Sequence, residues 1–244
     1  MATVGQDTEK ADSMIRALIF DFNGVIADDE TPHIACFRQA LSEFGLSLTA
    51  EDYYGAYLGM DERTCAALLL TARDGQADDV LLGKITARKT DLFRAYTARR
   101  RPALFPGVVE FVKAGLDRYR MAIASGGRRH QIHEALAGTA IEQDFEAIVA
   151  AEDCSIGKPD PAIYRMTVAR LNANRPGRPP FAPSECLVFE DSVAGIRAAH
   201  DAGMNVLAVS TTYPREKLHE ADGILASFDG TSPEAVIGML VKSR

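Results

Sequence analysis

The sequence predicts a doubly wound α/β fold, in which a parallel sheet carries helices on both faces and an α-helical cap domain is inserted near its N-terminal end. Five short apolar runs each end at a polar residue, and most are separated by stretches with helical periodicity. Such runs are typical of strands that are buried on both faces. In chain order they are ALIF before Asp21, MAIA before Ser125, AIVAA before Glu152, LVF before Glu190 and VLAV before Ser210.

Helices are predicted between the later strands. Their sequences are GVVEFVKAGLDRY, RRHQIHEALAG, PAIYRMTVARL and SVAGIRAAHDAG. In the last of these, Val193, Ile196 and Ala199 fall on one face, and Gly203 follows as a C-terminal stop signal. Strands and helices that alternate in this way are typical of a doubly wound sheet.

The first two strands are separated by about a hundred residues, far more than a single crossover helix needs. Residues 28–104 are predicted to be helical throughout, with no strand. In IACFRQALSEFG, for example, Ile34, Phe37, Leu41 and Phe44 form one apolar stripe that ends at Gly45. We therefore expect a helical cap at 28–104, inserted into a core made of residues 14–27 and 105–244. Residues 1–13 are expected to be a disordered leader.

Composition narrows the classes of function. The chain has 244 residues, of which 47% are hydrophobic and 25% charged, and its formal net charge is −7. This acidic balance disfavours binding to nucleic acid, and no apolar run is long enough to predict a membrane span. Four scattered cysteines indicate reduced thiols rather than disulfides or a metal site. The sequence predicts a cytoplasmic protein, either a monomer or a weak homo-oligomer.

Several polar residues follow predicted strands and are expected to meet, because ligands of open α/β sheets bind beyond the carboxyl ends of the strands. Asp21, Ser125 and the pair Glu190-Asp191 hold such positions, and Lys158 lies in the loop GKPDP, with Pro159 expected in the first turn of the next helix. Carboxylates, a hydroxyl beside glycine amides and a lysine suit a divalent cation together with a phosphoryl group. The sequence therefore predicts a phosphoryl-transfer site.

The segments DFNGV, ASGG, GKPDP and FEDSVAGI, in this order, resemble subfamily I of the haloacid dehalogenase superfamily and its β-phosphoglucomutase-like phosphatase branch. The resemblance covers nearly the whole chain after the leader. It implies a Rossmann-like core, a cap of four or five helices that closes over the site, and Mg²⁺ as cofactor.

Carried over residue by residue, the resemblance implies catalytic and metal-binding roles. Asp21 matches the nucleophile that becomes phosphorylated, Lys158 matches the cation of the third motif, and Glu190 and Asp191 match the acidic metal-binding pair. Asn23 matches the position whose main-chain carbonyl also binds Mg²⁺, so the predicted metal ligands include it and Asp21.

The resemblance also implies contacts with the substrate. The segment YLGMDER in the cap resembles the substrate-specificity loop, and GGRR follows the phosphate-binding serine. The predicted substrate-binding and phosphate-binding residues are Ser125, Gly126, Arg129, His33, Gly59, Arg63 and Lys89. His130, His133 and Cys154 are interpreted as structural.

Asn23 departs from the pattern, because this position normally carries the aspartate that is the general acid and base. Four accounts remain open. Asp28, Asp29, Glu30 or His33 replaces the acid; the substrate has a good leaving group such as an acyl phosphate; Asn23 deamidates at the Asn-Gly step; or the protein binds a phosphorylated ligand with little turnover.

Slow or substrate-assisted hydrolysis is the main hypothesis, because all the other catalytic parts are present. The prediction is a Mg²⁺-dependent phosphatase for a small phosphorylated metabolite such as a sugar phosphate, with an aspartyl-phosphate intermediate. A β-phosphoglucomutase-like phosphotransferase and a phosphate-ligand binder are the alternatives. Phosphonate hydrolysis, with Lys84 or Lys89 forming an imine, is a minor alternative. A dehalogenase would not need the metal pair, and no glycine-rich turn supports a dinucleotide-binding protein.

Overall fold

The computed structural model describes residues 15–57, 60, 62–100, 102–174 and 176–242. The predicted leader and Gly59 therefore lie outside the described residues. The strands are β1 Ala17–Phe20, β2 Ala27–Asp28, β3 Ala103–Leu104, β4 Arg120–Ala124, β5 Ala147–Val149, β6 Cys186–Glu190, β7 Asn205–Val209 and β8 Gly223–Leu225. The α-helices are α1 Glu30–Glu43, α2 Ala50–Asp52, α3 Glu62–Asp74, α4 Asp79–Thr97, α5 Val108–Gly115, α6 Arg129–Leu136, α7 Ala162–Ala173, α8 Val193–Asp201 and α9 Pro233–Lys242.

Six strands form one parallel sheet, in the order β5-β4-β1-β6-β7-β8. After β1 the chain forms β4 and β5 toward one edge of the sheet. It then returns and forms β6, β7 and β8 on the other side of β1. This strand order is that of a Rossmann-like fold, which confirms the predicted fold class. The reversal puts the carboxyl end of β1 at the crevice where such sheets bind ligands.

The sheet is covered on both faces by apolar side chains. Along β1, Ala17 and Ile19 face one buried cluster, while Leu18 and Phe20 face the other. In the second cluster Phe20 stacks on Phe189 with ring centroids 4.9 Å apart. This alternation explains why the strands appear in the sequence as continuous apolar runs.

Four α-helices, α1 to α4, and a π-helical turn at Tyr53–Tyr57 lie between β2 and β3, and form the cap. The two short strands pair antiparallel at its base. The prediction that residues 28–104 hold no strand was therefore wrong at both ends. Strands of two residues carry no periodic signal, and their pairing joins residues far apart in the sequence.

Two other local predictions were wrong, and one strand was not predicted. The strand β8 was missed, because GIL is a short run at the edge of the sheet. The third predicted strand ends at Val149, and a 3₁₀ turn precedes Cys154. Helix α7 begins at Ala162, so Pro159 lies in the loop before it.

No helix within the described part of the chain has the length and apolar character needed to cross a membrane.

Candidate active site

Asp21 follows β1 directly and is buried beside Lys158, whose loop precedes α7. The Lys158 ammonium donates hydrogen bonds to Asp21 Oδ1 at 2.7 Å and to Glu190 Oε1 at 2.6 Å. It also donates to the carbonyl of Ala124, at the end of β4, at 3.3 Å. One buried cation thus joins the ends of three adjacent strands.

Glu190, the last residue of β6, is fixed by donors on both of its oxygens. Besides the lysine, Oε1 accepts the hydroxyl of Tyr164 at 2.9 Å. Oε2 accepts the backbone N–H groups of Asp191 and Ser192 at 2.9 and 3.0 Å and the Ser192 hydroxyl at 2.9 Å. A Cβ atom on Gly195 would lie 1.8 Å from Oε1, so only glycine leaves room for this carboxylate.

The titration of these groups follows from burial and from Lys158. Burial raises the pKa of Asp21 to about 7, although the Lys158 charge opposes it. Burial also disfavours the charged form of Glu190, but the Lys158 charge and hydrogen bond outweigh it and lower the pKa of Glu190. The two carboxylates in turn hold the pKa of Lys158 well above its usual value despite desolvation. The lysine therefore stays charged.

Three buried acidic residues converge at this edge of the sheet. Asp21, Glu190 and Asp191 each offer a carboxylate oxygen, and the three atoms lie within 4.8 Å of one another. Asp191 packs against Gly24, where a Cβ atom would lie 2.0 Å from Asp191 Oδ2 and where φ is +77°. A cluster of hard oxygen donors has the chemistry to hold a divalent cation.

The loop after β4 brings Ser125 to the same place. Its buried hydroxyl accepts the N–H of Gly127 at 3.0 Å and donates to Asn23 Oδ1 at 3.3 Å. Gly126 and Gly127 line the cavity next to Asp21. A hydroxyl beside the backbone amides of a glycine pair is suited to phosphate oxygens.

The side chain of Asn23 is held by a carboxylate from the start of the cap. Its Nδ2 atom hydrogen-bonds to both carboxylate oxygens of Asp29 at 2.8 Å and lies 3.1 Å from His33 Nε2. Asp29 is buried, and its Oδ2 is 3.3 Å from His33 Nε2. Of the other groups considered as substitutes for an acid, Asp28 is exposed, and the side chain of Glu30 lies outside the described part of the structure.

A second buried network lies behind His33. Lys89 is fully buried and hydrogen-bonds to His33 Nδ1 and to Glu62 Oε1. Burial alone would raise the pKa of Glu62, but the charges and hydrogen bonds of Lys89 and His33 outweigh burial and lower this pKa to about 2. Burial and Lys89 lower the pKa of His33, whereas Asp29 and Glu62 raise it, and the net effect is upward. His33, Lys89 and Glu62 therefore form a fixed group of charged and polar side chains in the cap, next to the cavity that Asp21 lines.

A cavity of about 70 Å³ collects many of the residues predicted from the sequence. Asp21, Asn23, His33, Gly126, Lys158 and Asp191 line it. Ser125 contacts this group through Asn23, Glu190 through Lys158, and Lys89 through His33.

Two predicted contacts do not join this group. Arg129 is turned away, because its guanidinium hydrogen-bonds to the carbonyl of Ile148 and pairs with Asp153. Its neighbour Arg128 lines an adjoining cavity instead. Arg63 also lines that cavity and pairs with Asp79 at 2.5 Å.

Sequence reasoning missed Glu62, which lines both cavities, and Tyr164, which hydrogen-bonds to Glu190. Glu62 stands beside Arg63 in the YLGMDER segment that resembled a specificity loop, so the segment carried a signal, but only Arg63 was selected from it. Tyr164 had no signal of its own, because its position in α7 is that of an ordinary core aromatic.

The comparisons with known proteins agree with this geometry. The family model for haloacid dehalogenase-like hydrolases matches residues 15–203. The chain belongs to the haloacid dehalogenase-like hydrolase family.

Its relatives include several named phosphatases. A phosphorylated carbohydrates phosphatase from Thermotoga maritima is 29% identical over 78% of this chain and 82% of that protein. The fructose-1-phosphate phosphatase YqaB from Escherichia coli is 28% identical over 79% of this chain and 95% of its own length.

A solved structure supports the fold. The β-phosphoglucomutase from Clostridium difficile matches with a TM-score of 0.80 at 20% identity, over 94% of this chain and 98% of that one.

Proposed function

We propose that this protein is a Mg²⁺-dependent phosphatase that hydrolyses a small phosphorylated metabolite, of the sugar-phosphate class, through an aspartyl-phosphate intermediate. The observation that carries the proposal is the buried contact of Lys158 with Asp21 and Glu190, which together with Asp191 form the acidic cluster. Membership of a hydrolase family supports the reaction type. The relatives named for phosphorylated carbohydrates and fructose 1-phosphate support the substrate class.

Hard carboxylate oxygens fit Mg²⁺, which binds proteins through a few carboxylates together with substrate phosphate. Asp21 and Asp191 would hold the ion, with the main-chain carbonyl of Asn23. The two carboxylate oxygens of Glu190 together accept five hydrogen bonds. Its role in this proposal is therefore to orient Lys158 and to hold the loop that follows β6. When bound, the ion supplies positive charge that polarises the phosphoryl oxygens.

In the first step an Asp21 oxygen attacks phosphorus, the O–P bond to the nucleophile forms, and the ester O–P bond breaks. The leaving alkoxide takes a proton from water, or from Asp29 or His33 where either of them carries one, and departs as the alcohol. In the second step a water oxygen attacks the same phosphorus, the bond to Asp21 breaks, and inorganic phosphate leaves. Lys158 stabilises the negative charge of both transition states, and Ser125 with the glycine amides holds the phosphoryl oxygens.

Asn23 cannot exchange a proton with the leaving alcohol. The titratable side chains that contact its amide among the described residues are Asp29 and His33, both of which belong to the cap side of the site. General acid–base help is worth about 10²–10⁴ in rate, so turnover is expected to be slow where neither group supplies it. Deamidation of Asn23 is opposed by the fold, because the Gly24 nitrogen that would attack the amide carbon donates a hydrogen bond to Ala27.

A phosphate-ligand binder is the second candidate. It is favoured by one observation, the bidentate contact that locks the Asn23 amide against Asp29. A β-phosphoglucomutase-like phosphotransferase is the remaining alternative, and it would need proton transfer in both half-reactions.

The test is release of phosphate from p-nitrophenyl phosphate and from fructose 1-phosphate with Mg²⁺, for the wild type, Asn23→Asp and Asp21→Asn. The mass of each sample is checked for an intact amide at residue 23. Phosphate release by the wild type that Asp21→Asn abolishes supports the phosphatase. Tight Mg²⁺-dependent binding without release by the wild type would instead establish the binder.

A further inference from the structure

Two adjoining cavities divide the space around the nucleophile, and Glu62 lines both of them. The first, of about 70 Å³, contains Asp21 and Asp191. The second, of about 180 Å³, lies between the cap residues Glu62 and Arg63 and the loops of the core. A phosphate ester whose phosphorus lies beside Asp21 would therefore extend its alcohol part past Glu62 into the larger cavity.

The cations that line the larger cavity already have carboxylate partners. Three cationic side chains line it among the described residues, and each lies within 4 Å of a carboxylate of the same chain: Arg63 with Asp79 at 2.5 Å, Arg128 with Glu152 at 3.9 Å, and Lys158 with Asp21 and Glu190. A second phosphate on the ligand would have to compete with these carboxylates.

Glu62 itself is held in place as an anion. The buried Lys89 ammonium hydrogen-bonds to its Oε1, and His33 Nδ1 lies 3.7 Å from the same atom. A quarter of its side chain is nevertheless exposed where the two cavities meet. A carboxylate at this point accepts hydrogen bonds from hydroxyl groups and repels a second anionic group.

We propose that Glu62 is a specificity-determining residue that selects monophosphate esters of neutral, hydroxyl-bearing alcohols and rejects bisphosphates. The inference rests on the proposed phosphatase function and adds to it the chemistry of the leaving group. It assigns a role to the cap residue that sequence reasoning passed over in favour of Arg63.

The test compares fructose 1-phosphate with fructose 1,6-bisphosphate, two probes that differ by one phosphate. For the wild type with Mg²⁺ we expect kcat/KM to favour the monophosphate by at least about tenfold, since like-charge contacts are strongly unfavourable. In Glu62→Gln this preference is expected to fall by about tenfold or more. The readout is the ratio of kcat/KM for the two probes, measured on the same variant. A general loss of activity lowers both values equally and leaves their ratio unchanged.

Two further variants keep the test decisive. Glu62→Asp retains the charge and is expected to retain the preference. Glu43→Gln removes an exposed carboxylate that pairs with Arg88 outside both cavities, and is expected to leave the ratio unchanged. Thermal unfolding of each variant establishes that it is folded.

Slow turnover does not prevent the measurement, because the ratio of dissociation constants for the two probes can be determined with the Asp21→Asn variant. A wild type that prefers the bisphosphate, or an unchanged ratio in Glu62→Gln, would overturn the inference while leaving the phosphatase intact. Absence of phosphate release from every probe, including p-nitrophenyl phosphate, would refute the phosphatase itself, and the inference with it.

Discussion

Replacing Lys158 by methionine removes the cation that lies between two buried carboxylates. The lysine side chain is 3% exposed, and its ammonium is 2.7 Å from Asp21 and 2.6 Å from Glu190. Removing one partner of a buried ion pair leaves an uncompensated charge and typically costs about 3–5 kcal/mol. We expect Lys158→Met to lower the free energy of unfolding by that amount and to lower kcat by about 10²–10³, the usual effect of losing one electrostatic stabiliser.

The free energy is measured by urea unfolding, and kcat by phosphate release from p-nitrophenyl phosphate. Arg88→Met is the matched control, because it removes the cation of an exposed pair with Glu43 and is expected to cost no more than about 1 kcal/mol. A loss in Lys158→Met no larger than that of the control would refute the reasoning that this contact is a buried, desolvated ion pair.

Three further changes test other parts of the structure. Gly195→Ala places a methyl group against Glu190 and is expected to abolish most phosphate release while circular dichroism shows the helices retained. Phe111→Ala empties a fully buried site in the core and is expected to lower the free energy of unfolding by about 3–5 kcal/mol, measured in urea. Glu62 has a pKa of about 2 against an ordinary 4.5, so its contribution to stability is complete above pH 4.5 and is lost as the pH falls toward 2. The difference in urea stability between wild type and Glu62→Gln should therefore shrink between pH 6 and pH 3.

Each of these expectations has its own control or contrary result. Gly238→Ala, in α9 with no neighbouring atom within 4 Å of the added carbon, should retain activity. Leu68→Ala, at a site that is 46% exposed, should cost far less stability than Phe111→Ala. A stability difference for Glu62→Gln that stays constant across the pH range would contradict the assigned titration.

Much of the fold follows from local patterns in the sequence. The run ALIF forms β1 because strands buried on both faces need apolar residues at every position. The stripe through Ile34, Phe37 and Leu41 predicts α1, because one face of that helix packs into the core. The polar residues after β1 and β4 meet because parallel strands end at a common edge.

Other features depend on contacts between residues far apart in the chain. The pairing of β2 with β3 joins Ala27 to Leu104, and nothing in two residues of sequence predicts it. The orientation of Arg129 is another such feature, because its guanidinium is held by Asp153 and the Ile148 carbonyl, away from the cavity beside Asp21.

The sequence by itself predicted the class of fold from strand periodicity, and its short motifs predicted Asp21 as the nucleophile and marked Asn23 as a departure from the family pattern. Periodicity and short motifs are local properties of the chain. Tertiary structure decided what surrounds that amide. Asp29 lies six residues along the chain, but only the fold turns its carboxylate onto Asn23 and buries the contact. Glu62 and Lys89 meet at the cavity only when α3 and α4 pack together. The chemistry of a buried charge depends on its neighbours in space, and these are fixed by packing rather than by sequence distance.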